Sequence, residues 1–436
     1  MNGFRGICAV VITGMFGFSG CNCDPVPPPA PTGFSQVHAG ADTEDGLHVS
    51  LVLDAHDQPM VAFLKVDASP ANNAVYFTRY DGTAWKAPVV VAASVGRVDS
   101  NPTMQQVWLA RDASTGRLGV AFQKSEAFCV GANNETTVHV SFSTDDGATW
   151  SASERVSEAK YTRNDPVNGV EVCNTSSPRI AMANGTVHVA WGADAGEQDG
   201  IGFLRGYYYA SSTAAGSWTR TLLPHVGDDA RKGRDMLSLA LDSAGAPAVA
   251  YLMLSMGAPV PNNTAIVYVR PGSAPVRVTD SANIQNDAPQ LTLAFDGTKP
   301  RVGALLSRSA ADSQATWVFR SDDGAAFSEA RVPDDAGDKG GAWLDLAFQG
   351  GKGVLVSEFG SSGTRGQCGG PKLSRSTDAV AWTTCGADDK THQFLGRYVS
   401  AELASNGKLV LAFHTPNADT ASPSRFARGI VLWREP

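Results

Sequence analysis

One pattern governs what this chain can fold into: an alternating apolar strand, a Gly, Asp or Asn turn, then a second alternating strand, returning along nearly the whole length. It reads "HVSLVLDAHDQPMVAF", "RLGVAF", "PRIAMANGTVHVAW", "LSLALDSAGAPAVAY", "PQLTLAFDGTKPRVGAL", "LDLAFQGGKGVLVS" and "VSAELASNGKLVLAF" in turn. Period-two alternation places every second side chain on one face of a strand, so each copy is a half-buried antiparallel pair. A third strand follows in several units, as in "AVYFTRY", "TVHVSFS", "AIVYVR" and "ATWVFR", and a weaker fourth closes most of them. A four-stranded sheet cannot bury its faces alone, and copies repeated at roughly 50 to 60 residues bury them against one another as the blades of an all-β propeller. Seven units are counted, the last without a clear fourth strand. The segment "GFSQVHAG", from Gly33, is expected to supply it and fasten the ring. Six blades, with one unit split in two, is the alternative.

The first residues stand apart from this pattern. "MNGFRG" and the apolar run "ICAVVITGMFGF" have the length of a secretion signal and are too short to span a membrane as an anchor. The run ends in "FSGC", which resembles the lipobox of bacterial lipoproteins with Phe18 in the usual leucine place. That resemblance implies acylation of Cys21; a plain signal peptide with a chance cysteine is the other reading. The following "NCDPVPPPAPTG" is Pro-rich and extended, suited to holding a domain off a surface. The expected layout is a signal over residues 1–20, a tether over 21–32 and a propeller over 33–436. The expected location is the bacterial cell envelope, at the outer membrane or cell surface, with the lipid as the sole membrane contact.

With 45 Gly and 24 Pro, turns are frequent; net charge is −8 with no Lys/Arg-rich run, which argues against an electrostatic nucleic-acid binder. Of seven cysteines, Cys8 leaves with the signal, Cys21 takes the lipid and Cys23 is odd. Cys129, Cys173, Cys368 and Cys385 remain, enough for two disulfides in an exported protein.

The octapeptide "STDDGATW" falls between a third and a fourth strand. It resembles the Asp-box (BNR repeat) of sialidase-like propellers at Ser143, Asp145, Gly147, Thr149 and Trp150. Worn copies are "TRYDGTAW", "RSDDGAAF", "RSTDAVAW" and the weaker "STAAGSW". The residues specify a turn: Ser143 and Asp145 can accept backbone N–H groups, Gly147 can take positive φ, and Trp150 can fold back between strands. A Ca²⁺ loop needs more alternating carboxylates. The motif therefore speaks for scaffold rather than chemistry.

In such a propeller the inner strand runs away from the ligand face, which is built from loops joining strands two and three and from the connections between blades. Cys129 and Cys173 fall in those two kinds of loop around the second blade, and Cys368 and Cys385 in the same two around the sixth. This predicts bridges Cys129–Cys173 and Cys368–Cys385. The residues opening the inner strands are candidate ligand contacts: Asp99, Arg179, Asp235, Asp287, Trp343, Arg397 and Tyr398. Asp235 and Asp287 could serve acid/base work at a sugar, or merely cap strand entrances. Arg397 beside Tyr398 could clamp a carboxylate or stack on a ring, or form a surface pair. The acidic loops 227–235 and 333–341 read as solvated, and His225 and His392 lack metal-ligand spacing. No metal and no cofactor is expected.

The sialidase resemblance does not extend to catalytic residues. No Arg-Ile-Pro occurs, and in "GRYVSAELASNGKLVLAFH" Arg397 stands where the family has an acidic residue and His414 roughly where it has an arginine. Two functions follow. One is a surface-anchored module recognising a glycan or a surface protein on its loop face. The alternative is a glycoside hydrolase acting on extracellular polysaccharide through a different site.

Overall fold

A computed structural model describes residues 32–39, 45–67, 69–96, 107–125, 136–157, 172–195, 205–224, 236–255, 263–281, 291–306, 315–333, 343–357, 372–386, 397–415 and 429–436. These form seven four-stranded antiparallel sheets, the blades of a seven-bladed β-propeller. The inner strands, taken as blades 1 to 7, are Asp45–Leu53, Val107–Arg111, Val172–Ala183, Leu237–Leu241, Leu291–Asp296, Leu344–Gln349 and Arg397–Leu403. In blades 1 to 6 the strands lie in sequence order from the axis outwards. Blade 7 is completed by Gly33–Ala39, which pairs antiparallel with Gly429–Arg434 from the other end of the chain. The strand expected at Gly33 is therefore the ring fastener, and seven rather than six is the blade number.

The core lies between blades, because each sheet turns one apolar face to the preceding blade and the other to the next. Val52, Met60 and Phe77 of blade 1 meet Leu109, Val120 and Phe122 of blade 2. Across the closure, Val49, Leu51 and Phe63 of blade 1 pack with Val410, Ala412 and Ile430 of blade 7 and with Val37 of the fastening strand. All of these side chains are buried.

The turn at residues 143–150 has the geometry its residues predict. Ser143 Oγ accepts the Gly147 N–H at 2.9 Å, and Asp145 accepts the Thr149 N–H at 2.9 Å and the Thr149 hydroxyl at 2.5 Å. Gly147 sits at φ 84°, and Trp150 donates Nε1–H to the Gly147 carbonyl at 3.2 Å. The Trp150 ring is half-buried against Phe77 of blade 1, centroids 5.3 Å apart, so it seals a junction between blades rather than filling the space under its own turn. The same carboxylate-to-backbone turn recurs at Asp81, Asp323 and Asp378.

Candidate functional site at the propeller axis

Counting back three residues from the end of the inner-strand pairing in blades 1, 2, 4 and 7, and four in blades 3, 5 and 6, where the pairing runs one residue further, brings one register position of every blade to a common level. It holds Ser50, Trp108, Arg179, Ser238, Thr292, Asp345 and Ser400. Four of these side chains accept a backbone N–H from the next inner strand. Ser400 takes that of Leu51 at 3.0 Å, Ser50 that of Leu109 at 2.9 Å, Ser238 that of Leu293 at 2.9 Å, and Asp345 that of Ala401 at 2.7 Å. Inner strands splay apart around an axis, and these latches satisfy N–H groups that no neighbouring strand can reach.

Blade 5 departs from the latch, its Thr292 hydroxyl donating to Asp345 at 3.4 Å, and so do blades 2 and 3. Trp108 and Arg179 stand there instead, with the guanidinium carbon 4.3 Å from the centre of the Trp108 ring. Arg179 is 7% exposed, donates Nη1–H to the Pro178 carbonyl at 3.2 Å, and has an Nε–H with no hydrogen-bond partner among the described residues. Burial lowers it to about 10, and the Asp345 carboxylate opposes that fall, so it remains a cation at neutral pH.

A cavity of about 460 Å³ follows the axis, lined by residues of all seven inner strands from the level of Trp108, Asp345 and Ser400 to Arg111, Gln349 and Leu403. Most of its lining side chains are apolar, but polar groups make up the larger part of the surface that faces it. One step further along the strands the register level reads Val52, Ala110, Ala181, Ala240, Ala294, Ala347 and Glu402. Glu402 is thus the single acid in a ring of small apolar side chains, next to the residue whose N–H Asp345 holds. Burial pushes Glu402 up to about 8, reinforced by the charge of Asp345. Burial also pushes Asp345 up to about 6, against the Ala401 and Leu346 N–H groups, the Thr292 hydroxyl and Arg179, which all favour its ionised form.

On the side where the inner strands begin, three bulges break the ladder at equivalent places, between Leu47 and Ser50, Ser176 and Arg179, and Arg397 and Ser400. His48, Ser177 and Tyr398 take left-handed φ values of 55°, 47° and 54° there. Non-glycine residues in that region are strained, and bulges re-aim side chains, which is why such features gather at functional sites. His48, Tyr398 and Trp343 are drawn into one aromatic group, with Tyr398 centroids 4.4 Å from His48 and 4.3 Å from Trp343.

Of the ligand contacts expected from sequence, Trp343 and Tyr398 lie at inner-strand entrances, whereas Arg179 lies well inside its strand, past the bulge; all three are buried. Arg179 joins Trp108 and lies within electrostatic reach of Asp345; Trp343 and Tyr398 join His48. Arg397 opens the inner strand of blade 7 opposite His414, and its side chain is outside the described set. Asp99, Asp235, Asp287, His225, His392, Cys21, Cys129 and Cys368 lie outside the described residues, as do the side chains of Cys173 and Cys385. Asp345, Glu402 and Trp108 were not singled out by sequence. The available signal was an acid inside an alternating inner strand, in "LDLAF" and "AELAS", where aligned copies carry Ser, Thr or Ala.

Fold and axis together define a seven-bladed propeller with an axial cavity lined by Asp345 and Glu402, and with the Arg179 guanidinium within electrostatic reach of Asp345. The sequence matches no protein-family model and no curated protein. Among solved structures it is similar to the GH93 α-L-arabinofuranosidase of Fusarium graminearum bound to arabinobiose, at 11% identity over 92% of this chain and 97% of that one, with a TM-score of 0.51. It is also similar to the α-L-arabinanase of Penicillium chrysogenum bound to arabinobiose, at 11% identity over 93% of this chain and 99% of that one, TM-score 0.50. The NanB sialidase of Streptococcus pneumoniae is a weaker likeness, at 11% identity over 92% of this chain and 70% of that one, TM-score 0.44. At such identities the likeness establishes the propeller fold alone.

Proposed function

We propose that this protein is a glycoside hydrolase acting on extracellular polysaccharide. The observation that carries the reading is the placement of Asp345 and Glu402 on neighbouring inner strands at one axial cavity, with Arg179 within electrostatic reach of Asp345. Glycoside hydrolysis uses two carboxyl groups. One protonates the leaving oxygen as the glycosidic C–O bond breaks; the other stabilises the cationic sugar or activates the water whose hydroxyl completes the product. The fold shared with proteins named as arabinofuranosidase and arabinanase supports pentose polymers as the first substrates to try.

The test is release of reducing ends from arabinan, arabino-oligosaccharides and sialosides. Replacing Glu402 by Gln or Asp345 by Asn should lower the rate by on the order of 10²–10⁴-fold with folding intact. A second reading, glycan recognition without cleavage, draws on Asp345, whose carboxylate is already occupied by the Ala401 and Leu346 N–H groups. Binding on a glycan array with no release from any bound glycan would establish that reading and remove the first. The proposal also includes the Asp-box character of the turns and an envelope location through lipid on Cys21. An acylated cysteine with more than one chain anchors stably, so Cys21→Ala should free the protein from membranes.

A further inference from the structure

Two carboxyls at one axis need not be equivalent, and the structure surrounds this pair very differently. Asp345 is provided with donors: the Ala401 N–H reaches Oδ2 at 2.7 Å, while the Leu346 N–H at 2.9 Å and the Thr292 hydroxyl at 3.4 Å reach Oδ1. Glu402 has none. Among the described residues nothing hydrogen-bonds its carboxyl, and the other six side chains at its register level are one valine and five alanines. Hydrogen bonds from N–H groups stabilise a carboxylate, whereas apolar surroundings stabilise the acid.

Arg179 adds to this asymmetry. It occupies the level at which four other blades place a latch, and its guanidinium sits over the Trp108 ring, 4.3 Å from the centroid. A guanidinium held on an aromatic face is fixed in place without its N–H groups being consumed. Its field reaches Asp345, whereas among the described residues the one charge acting on Glu402 is that of Asp345 itself. Among the described side chains, the other titratable groups on elements packed against the strand of Glu402 are His48 in blade 1, Lys352 in blade 6 and His414 in its own blade.

We propose that Asp345 and Glu402 hold one proton unequally, with Asp345 the standing carboxylate and Glu402 the proton carrier, and that Arg179, seated on Trp108, is the positioning residue that maintains the division. The assignment deepens the hydrolase reading and rests on it for its use: Glu402 then gives the proton to the leaving oxygen, and Asp345 faces the developing sugar cation. Two carboxyls in contrasting surroundings take up acid and base roles in this way. Because such a pair titrates jointly, the division is read from both steps together.

The test requires no substrate, so it is separable from the hydrolase reading. Infrared difference titration of the whole protein from pH 4 to 10 follows the carboxylic-acid carbonyl band in wild type, Glu402→Gln, Asp345→Asn, Arg179→Met and Arg179→Lys. In wild type one acid band should persist through neutral pH and vanish in Glu402→Gln. Arg179→Met should raise the pH at which Asp345 ionises by about one unit, a tenfold change in proton affinity, and Arg179→Lys should restore it in part. Melting curves show whether each variant folds; where Arg179→Met does not, Arg179→Lys against wild type still reports the midpoint of Asp345. A band that survives Glu402→Gln overturns the assignment of the carrier. Midpoints unmoved in both Arg179 variants overturn the role of Arg179. A protein that shows the split but cleaves no glycan loses the hydrolase reading and keeps the division.

Discussion

Burial moves several titratable side chains around the axis away from their ordinary values, and the directions oppose one another. His48 falls from 6.5 to about 3 and His188 from 6.5 to about 4, each mainly through desolvation. Their unfolded forms take up protons first, so their stabilisation is lost as pH drops below 6.5. Asp345 and Glu402 behave in reverse: raised from 3.8 to about 6 and from 4.5 to about 8, they hold protons in the folded state that the unfolded chain has released. Their contribution is full below the unfolded values and is lost as pH rises through the folded ones. Between about pH 7.5 and 8, a full unit above the unfolded histidines and Asp345, Glu402 is the one of these four still changing. Melting temperature should therefore fall across that window in wild type and stay flat in Glu402→Gln, which should be the more stable protein at pH 8 by up to a few kcal/mol. An unchanged slope in the variant would show that Glu402 is ionised well below neutrality.

At the scale of elements, the turn at residues 143–150 links sequence to blade packing most directly. Gly147 is needed twice over: its φ of 84° is left-handed, and a Cβ placed there would lie 2.0 Å from Cε1 of Phe77 in blade 1. Left-handed backbone alone costs an L-residue roughly 1–2 kcal/mol. The clash must in addition push Phe77 out of a packed junction, so Gly147→Ala should cost distinctly more than that in urea denaturation. Trp150→Ala removes a ring that is only half-buried, and should fall at or below the low end of the roughly 3–5 kcal/mol typical of a core tryptophan. If the glycine variant proves the milder of the two, the turn is looser than its hydrogen bonds imply. In blade 6 the corresponding left-handed residue is Ala379 at φ 59°, while Asp378 still accepts the Val380 and Ala381 N–H groups. The carboxylate survives in worn copies where the glycine does not, because it supplies the bonds that shape the turn.

For the whole molecule, closure depends on one strand. Gly33–Ala39 pairs with Gly429–Arg434 and places Val37 among Val49, Phe63, Ile430 and Leu432, so the ends of the chain fasten blade 7 from both sides. The Ser400 latch to Leu51 N–H and the Ser405 N–H bond to Asp57 at 2.9 Å tie blade 7 to blade 1 at two further levels. Removing residues 33–39 should expose the apolar edge of Gly429–Arg434 and lower the melting temperature of the entire ring rather than produce a separate early transition. Ser400→Ala, which strands a single N–H, should cost about 1–3 kcal/mol. Two well-separated transitions in the truncated protein would mean that the blades melt independently and closure matters less than the packing between neighbours.

The sequence by itself determined what depends on near neighbours along the chain. Alternation over five to nine residues specifies the strands, and short Gly, Asp and Asn turns specify their pairing. Seven copies therefore yielded seven blades, with the missing fourth strand correctly sought at Gly33. Trp343 and Tyr398 were legible as inner-strand entrances for the same reason, whereas the strand of Arg179 begins seven residues earlier, at Val172. Tertiary structure alone decided which of those residues meet. Asp345 and Glu402 come from different blades and face one cavity only because two registers, each set by its own turn, arrive at adjoining heights. Arg179 reaches their neighbourhood from blade 3 only because a bulge at Ser177 resets its strand. A bulge leaves almost no mark in a pattern of period two, and a carboxyl in an apolar strand looks like a solvated residue until the ring closes around it.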